Sequence, residues 1–271
     1  MADDWLLQKP EGEHRATRLT PEGRESIVRT LANEVPVAVE YDGQPYAVMM
    51  LTPADLEDFA TGFSLTERLV ARPSDIARID IRSAERGIAV DVRLEAPASE
   101  RLRTRQRALV GQSGCGICGI QTLEEAVPAL PPLAAAPRLG RAAVFDALGR
   151  LTSHQPLNEA TGAVHAAAFC QTDGRIVAVR EDVGRHNALD KLIGHLARNG
   201  ADTGDGFALL TSRCSYELVQ KAVIARIAVL ITISAPTELA VSIARQRCVT
   251  LIALARPDSM LVVNDPFGAV S

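Results

Sequence analysis

Apolar positions along this chain change rhythm several times, and each rhythm predicts a different kind of element. Between residues 35 and 50 they alternate, as Val35, Val37, Val39 and Tyr41 and then Tyr46, Val48 and Met50, with Asp42-Gly43 between the two runs. Period-two alternation around an Asp-Gly pair predicts a β-hairpin. At Thr52-Pro-Ala-Asp55 the rhythm becomes helical, with Thr52 as the N-cap, Pro53 at the first helical position and Asp55 in the first turn. Leu56, Phe59, Ala60 and Phe63 follow at helical spacing. Strands predicted over 76–82 and 88–94, split by Arg86-Gly87, complete a small α+β unit.

The second half alternates helices with continuous apolar strands. Helices are predicted over 142–151, 185–198, 215–226 and 237–247. Strands are predicted over 165–170, 175–180 after the Asp173-Gly174 turn, 207–211, 229–233 and 249–255, with a last extended piece over 260–263. Strands that are apolar throughout, set between helices, imply a sheet covered on both faces. The expected fold class is therefore α/β, with an α+β amino-terminal part. Polar residues 1–18 read as a disordered tail, 19–110 as the small α+β domain, and 138–271 as the α/β domain. The Cys-x-x-Cys loop and a proline- and alanine-rich linker fill 111–137.

Composition removes several function classes. A chain of 271 residues buries a core without covalent staples. Its odd number of cysteines, five, fits cytosolic usage with reduced thiols, so the protein is expected in the cytoplasm. The amino terminus carries acids where a signal peptide needs a basic region, and the longest apolar run, 222–233, is short and broken by Arg226. No membrane partner is expected. A net charge of -4 and a pI near 5.8 argue against nucleic acid as a partner. One basic row stands out, Arg101, Arg103, Arg105 and Arg107. It is either a solvated face or a basic approach favouring thiolate and anions.

That row leads into Gly111-Gln-Ser-Gly-Cys115-Gly-Ile-Cys118-Gly-Ile, whose glycines present two thiols rather than pack them. A Cys-x-x-Cys pair serves as half a zinc site, a redox couple or a nucleophile. A structural zinc wants a second Cys-x-x-Cys or a histidine pair at ligand spacing, and neither is present, so no metal site is expected. Nucleobase deaminases use His-x-Glu before Pro-Cys-x-x-Cys. Here His165 is followed by Ala-Ala and comes after the cysteines, so that chemistry fails on residues. The loop also lacks the strand-to-helix setting of a thioredoxin-like site. A nucleophilic thiolate that accepts a group and delivers it remains, and sulfur is the natural cargo.

Delivery needs a destination. The predicted strand ends carry Glu181-Asp182-Val-Gly-Arg185-His186, Thr211-Ser212-Arg213-Cys214-Ser215, Ser234-Ala-Pro-Thr237 and Ala255-Arg256-Pro257, three of them leading into helices. Singly, each Ser or Thr reads as an N-cap, and His165 among alanines as a structural residue. Together with Arg185, Arg213 and Arg256 they outline a phosphate-binding edge.

Several segments resemble one family. Thr161-Gly-Ala-Val-His-Ala-Ala-Ala-Phe169, the run Glu181 to Gly194, Ser212-Arg-Cys-Ser-Tyr-Glu-Leu-Val-Gln-Lys221, Ser234-Ala-Pro-Thr-Glu-Leu-Ala-Val241 and the Cys-Gly-Ile-Cys-Gly loop are similar, in one order, to the FdhD/NarQ family of formate dehydrogenase accessory sulfurtransferases. Asn33-Glu-Val-Pro and Thr52-Pro-Ala-Asp resemble it too, so the likeness spans roughly 33–263. The resemblance implies a carboxy-terminal three-layer sandwich like cytidine deaminase without its zinc chemistry, and a homodimer. It implies persulfide sulfur taken from a cysteine desulfurase and passed to the molybdenum cofactor bearing two guanine dinucleotides, for formate dehydrogenase. By position, Cys115 would carry the persulfide, Cys118 would assist, and Leu254-Ala255-Arg256-Pro257-Asp258-Ser259 would bind the cofactor. His165, Arg185, His186, Ser212, Arg213 and Ser234 join that stretch as the expected nucleotide site, with GDP or GMP as the mimic. In the family an aromatic residue stands at position 254 and Gly-Arg at 258–259; this chain differs at both. The rival reading is a chaperone that binds the cofactor and only ferries it; a zinc-binding structural module is a third.

Overall fold

A computed structural model describes residues 5–100, 102 and 130–271. The Cys115 and Cys118 loop, Arg101, Arg103, Arg105 and Arg107, and the first part of the linker lie outside the described residues.

The chain opens with a hairpin, β1 (Glu11–Thr20) and β2 (Gly23–Ala32), paired in unbroken register from Glu11 opposite Ala32 to Thr20 opposite Gly23. This corrects the expected disordered tail over residues 11–18. Polarity misled because both faces of the ribbon are mostly exposed, while its order comes from backbone pairing. The base is tied by Asn33 N–H to the Pro10 carbonyl at 2.7 Å, and Arg29 donates to the Thr161 carbonyl at 3.1 Å.

The alternating stretch forms the expected hairpin, β3 (Val35–Tyr41) and β4 (Gln44–Leu51). Asp42 and Gly43 both take positive φ, 51° and 78°, the left-handed pair that a tight hairpin turn requires. β5 (Ile76–Ala84) and β6 (Gly87–Leu94) complete a four-stranded sheet of order β4-β3-β6-β5, with β3 and β6 parallel. Helix α1 (Leu56–Thr66) shares a core with Val35, Val37, Val39 and Tyr41 through Phe59, Ala60 and Phe63. Its N-cap is Asp55, at φ 53°, and not Thr52. Thr52 is fully buried and is spent elsewhere, in a contact with the second domain.

That domain runs α2 (Arg141–Leu151), α3 (Pro156–Thr161), β7 (His165–Gln171), β8 (Ile176–Asp182), α4 (Arg185–Arg198), β9 (Gly206–Leu210) and α5 (Tyr216–Ile224). It ends with β10 (Val229–Thr232), α6 (Glu238–Gln246), β11 (Thr250–Ala253) and β12 (Leu261–Asn264). The sheet order is β12-β11-β10-β9-β7-β8. Its strands read as apolar throughout because their residues feed two cores in turn. Ala167, Phe169, Ala208, Leu210, Leu230 and Leu251 pack with α4, α5 and α6. Ala168, Cys170, Phe207, Leu209, Val229, Ile231 and Ile252 pack with Val144, Ala147 and Leu151 of α2. The result is three layers, helix, sheet and helix. Leu189, Leu192, Ile193 and Leu196 of α4 are all buried, each contributing roughly 1.5–3 kcal/mol of apolar burial. The last part of the linker is no free spacer: Leu130 joins the α4 core, and Leu133 N–H bonds to the Arg247 carbonyl at 2.9 Å.

The two domains meet where α1 crosses α4. A Cβ on Gly62 would stand 1.8 Å from the Asp190 carbonyl oxygen, and one on Gly194 1.8 Å from that of Asp58. Only glycine allows that approach.

Candidate functional site

Strand directions decide which residues meet. β9, β10 and β11 are parallel, while β7 is antiparallel to both β9 and β8. β8 therefore runs with β9, and four strand carboxyl ends share one edge with the start of β7. The register confirms it: His165 lies opposite Asp182, Thr211 N–H bonds to the Ala166 carbonyl, Ile233 N–H to that of Leu210, and Ala255 N–H to that of Thr232. Every predicted nucleotide-site residue lies on or just beyond this edge, where α4, α5 and α6 begin. In open α/β sheets, ligands settle at such edges.

Two arginines act on His165 at this edge. His165 is half-buried, and burial first, then the charges of Arg185 and Arg213, hold its pKa below the ordinary histidine value against an opposing pull from Asp182. Held below its ordinary value, the imidazole is mostly neutral at pH 7, with Arg185 and Arg213 near enough to disfavour its protonated form. Arg185, at the first position of α4, has a buried Nε with no hydrogen-bond partner among the described residues. An unpaired guanidinium N–H at a half-buried helix start is a donor available to an anionic ligand. His186 Nε2 lies 2.8 Å from Glu217 Oε2 and 3.2 Å from Ser215 Oγ. Burial lowers its pKa, Glu217 opposes, and Arg185 and Lys221 add to the lowering. Serine and glutamate converge on one ring nitrogen, so this trio is no nucleophile relay, which needs both nitrogens.

The hydroxyls divide. Thr237 is a true cap, its side chain accepting the Ala240 N–H at 3.2 Å. Ser215 occupies the N-cap position of α5 without capping it, and turns to Glu217 and His186 instead. Ser212 is buried and donates to the Arg213 carbonyl at 3.0 Å. Ser234 contributes its carbonyl, which accepts the Thr232 hydroxyl at 2.9 Å. In the 254–259 stretch, Leu254 is exposed at φ 50° and Ala255 is buried. Arg256 N–H donates to the Ser259 carbonyl at 2.7 Å and its guanidinium to the Ile233 and Ala255 carbonyls, closing a turn. That turn presents Pro257, Asp258 and Ser259 to solvent. Cys115 and Cys118, the expected chemical centre, lie outside the described residues. Among the described residues no three His, Cys, Asp or Glu side chains are placed to share a metal ion, and no helix is long and apolar enough to cross a membrane.

Sequence reasoning missed what lies beneath this edge. Asn187, Asp190, Lys191, Gly194 and Arg198 recur at helical spacing on α4, a stripe that an amphipathic reading assigns to solvent. The structure turns it onto the amino-terminal domain. Asn187 donates to the Met50 carbonyl, Lys191 to that of Thr52, and Arg198 pairs with Asp58. Thr66 and Lys221 both bond to Asp190. Burial alone would lower the Lys221 ammonium, yet Asp190 and Glu67 carry it above the ordinary lysine value. A glycine in phase with the polar residues was the available signal. Small residues mark helix contact, not a wet face.

The FdhD/NarQ family profile matches residues 32–268. A Bordetella petrii protein described as sulfur carrier protein FdhD is 45% identical over 236 residues, covering 87% of this chain and 85% of its own. A Xanthomonas campestris pv. campestris protein of the same description is 45% identical over 259 residues, covering 95% and 92%. In fold, the chain is similar to the crystal structure of a candidate formate dehydrogenase accessory protein from Desulfotalea psychrophila. The TM-score is 0.77 at 23% identity, over 96% of this chain and 99% of that one. A profile match from the third strand to the last, with relatives this similar over most of both chains, establishes that the chain belongs to the FdhD/NarQ family.

Proposed function

We propose that the protein is a cytoplasmic, homodimeric sulfurtransferase. It takes sulfur from a cysteine desulfurase and delivers it to the molybdenum cofactor bearing two guanine dinucleotides, the form destined for formate dehydrogenase. The three-layer domain is, on this reading, the cytidine deaminase-like part that the resemblance implies. The observation that carries the proposal is the convergence of His165, Arg185, His186, Ser212, Arg213, Ser234 and the 254–259 turn on one sheet edge, in a chain whose relatives are described as sulfur carriers. Arg185 and Arg213 supply donors for phosphate oxygens, and neutral His165 near them adds a hydrogen bond without a further charge. The 254–259 turn, at the end of β11, offers its backbone to a guanine ring.

The sulfur chemistry falls to the two thiols. Cys115 thiolate attacks the terminal sulfur of the desulfurase persulfide. One S–S bond forms, one breaks, and the electron pair leaves on the desulfurase thiolate. Attack by Cys118 on Cys115 would then expel hydrosulfide towards the cofactor and leave a Cys115–Cys118 disulfide, which a cellular dithiol reduces. The test is mass spectrometry after desulfurase and cysteine treatment, paired with calorimetric titration of GDP. A gain of one sulfur is expected, absent in Cys115→Ser, with GDP binding lost in Arg185→Gln and Arg213→Gln. Persistence of the gain in Cys115→Ser would sink the assignment. Full rescue of formate dehydrogenase activity in cells by Cys115→Ala would make the protein a non-catalytic chaperone instead.

A further inference from the structure

Helix α4 starts without a side-chain cap, because its N-cap residue is Gly184. Something other than local capping must set the angle at which Arg185 and His186 enter the sheet edge. On one side, α5 holds His186 through Ser215 and Glu217. Arg185 does not fix the turn through its Nε, which has no partner among the described residues. The other hold comes from a buried carboxylate. Asp182 Oδ1 accepts the Gly184 N–H at 2.8 Å and Asn187 Nδ2 at 3.0 Å. Its Oδ2 accepts the Thr52 N–H at 3.0 Å and pairs with Lys191 Nζ at 2.7 Å. Thr52 reciprocates: its carbonyl accepts Lys191 Nζ at 3.0 Å and its Oγ1 accepts the Val183 N–H at 3.1 Å. Asn187 adds a bond to the Met50 carbonyl at 2.9 Å. Thr52, Asp182 and Lys191 are all at 0% exposure, where hydrogen bonds are neither screened nor exchanged for water.

The geometry points to Thr52, acting with Asp182 and Lys191, as a positioning residue: the β4–α1 connection of the amino-terminal domain fixes the first turn of α4, and through it Arg185 and His186 at the edge. The inference rests on the proposed nucleotide role of that edge, and its test separates the two. Asp182 is the wrong residue to change, since its loss strands the buried Lys191 charge and threatens the whole fold. Thr52→Val keeps the shape and the backbone bonds of residue 52 and deletes only the hydroxyl beneath Val183 N–H.

Two readouts are taken on the full chain, the His186 titration midpoint by NMR and GDP affinity by calorimetry. Freeing the turn admits water to an imidazole now held low by burial, with Glu217, Arg185, Lys221 and Ser215 around it. The midpoint should therefore rise by about half a pH unit in Thr52→Val, with GDP binding about tenfold weaker. Thr52→Ser should restore both, and Asn187→Ala, which cuts the tie at Met50, should shift both in the same direction. Val144→Ala on the opposite face of the sheet should lower the melting temperature and move neither. An unchanged or lower midpoint in Thr52→Val overturns the positioning role whatever GDP does. A raised midpoint in a protein whose wild type binds no GDP supports positioning and refutes the nucleotide reading.

Discussion

Gly194→Ala tests the geometry that joins the two domains, because two effects of known size act on it in opposite directions. Helix propensity alone favours alanine by about 1 kcal/mol in a helix interior. The crossing opposes it. The new Cβ would sit 1.8 Å from the Asp58 carbonyl oxygen, whereas real Cβ contacts essentially never fall below 3.0 Å. The atoms in the way are backbone, so α1 and α4 must part by more than an ångström. No flexible side-chain tip can swing aside. Parting also stretches the buried bonds from Asp190 to Thr66 and Lys221, now 2.7 and 2.9 Å long. Overpacking typically costs 1–3 kcal/mol, and a backbone collision at a buried crossing belongs at or above the top of that range, so the net loss is expected at about 2–4 kcal/mol. Urea unfolding reads it as a lower midpoint at unchanged slope. Gly149→Ala is the internal control, an exposed α2 position whose Cβ would meet nothing within 4 Å, and it should gain up to about 1 kcal/mol. Because either alanine separates the helices, Gly62→Ala combined with Gly194→Ala should cost less than the two singles together. A Gly194→Ala protein as stable as Gly149→Ala would refute the close crossing.

Two further expectations concern charge. Asp190→Ala should cost about 3–5 kcal/mol by leaving the Lys221 ammonium buried without its main partner, and adding Lys221→Met should recover most of that loss in urea melts; no recovery would show that the damage is not the stranded charge. His165 has a folded pKa held below its unfolded value. The stability it contributes is complete above about pH 6.5 and is lost as pH falls towards and through the folded value. The melting temperature of the wild type should therefore fall more steeply from pH 7 to pH 5 than that of His165→Gln, and parallel curves would argue that the imidazole is not held neutral by its surroundings.

Legibility in the sequence followed the physics of each signal. The hairpin at Asp42-Gly43, the alternation of β8 to β11 with α4 to α6, and α2 were readable because apolar period and turn chemistry are local. The β1–β2 ribbon was not, since its order comes from backbone pairing between strands whose side chains face water. Thr52-Pro-Ala-Asp read as a helix start for sound local reasons. Yet Thr52 is used across the domain boundary, 131 positions from its partner Val183, and the helix begins three residues later with no side-chain cap. Capping logic sees only the next turn; it cannot weigh a distant amide that competes for the same hydroxyl. The sheet edge was legible as a set of strand ends but not as a geometry. Whether Ser215 and Thr237 cap their helices or face a ligand depends on neighbours from other elements, and the answers differ.

The run from Glu181 to Gly194 carries the chain from the end of β8 into α4. Its residues serve two separate purposes. Glu181 accepts the Leu157 and Asn158 N–H groups at the start of α3, and Asp182, Asn187, Asp190, Lys191 and Gly194 attach α4 to the amino-terminal domain. Arg185 and His186, at the one turn between those attachments, face the edge where α5 begins. Most of this polar run is therefore architecture, and the proposed ligand contacts are confined to two adjacent side chains. A substitution at 182, 187 or 191 would be expected to disturb the edge only by moving those two, whereas one at 185 would remove the proposed ligand contact outright. Stability and GDP affinity should accordingly fall together for the first group and separately for Arg185→Gln, a distinction that the motif read as a string of letters does not contain.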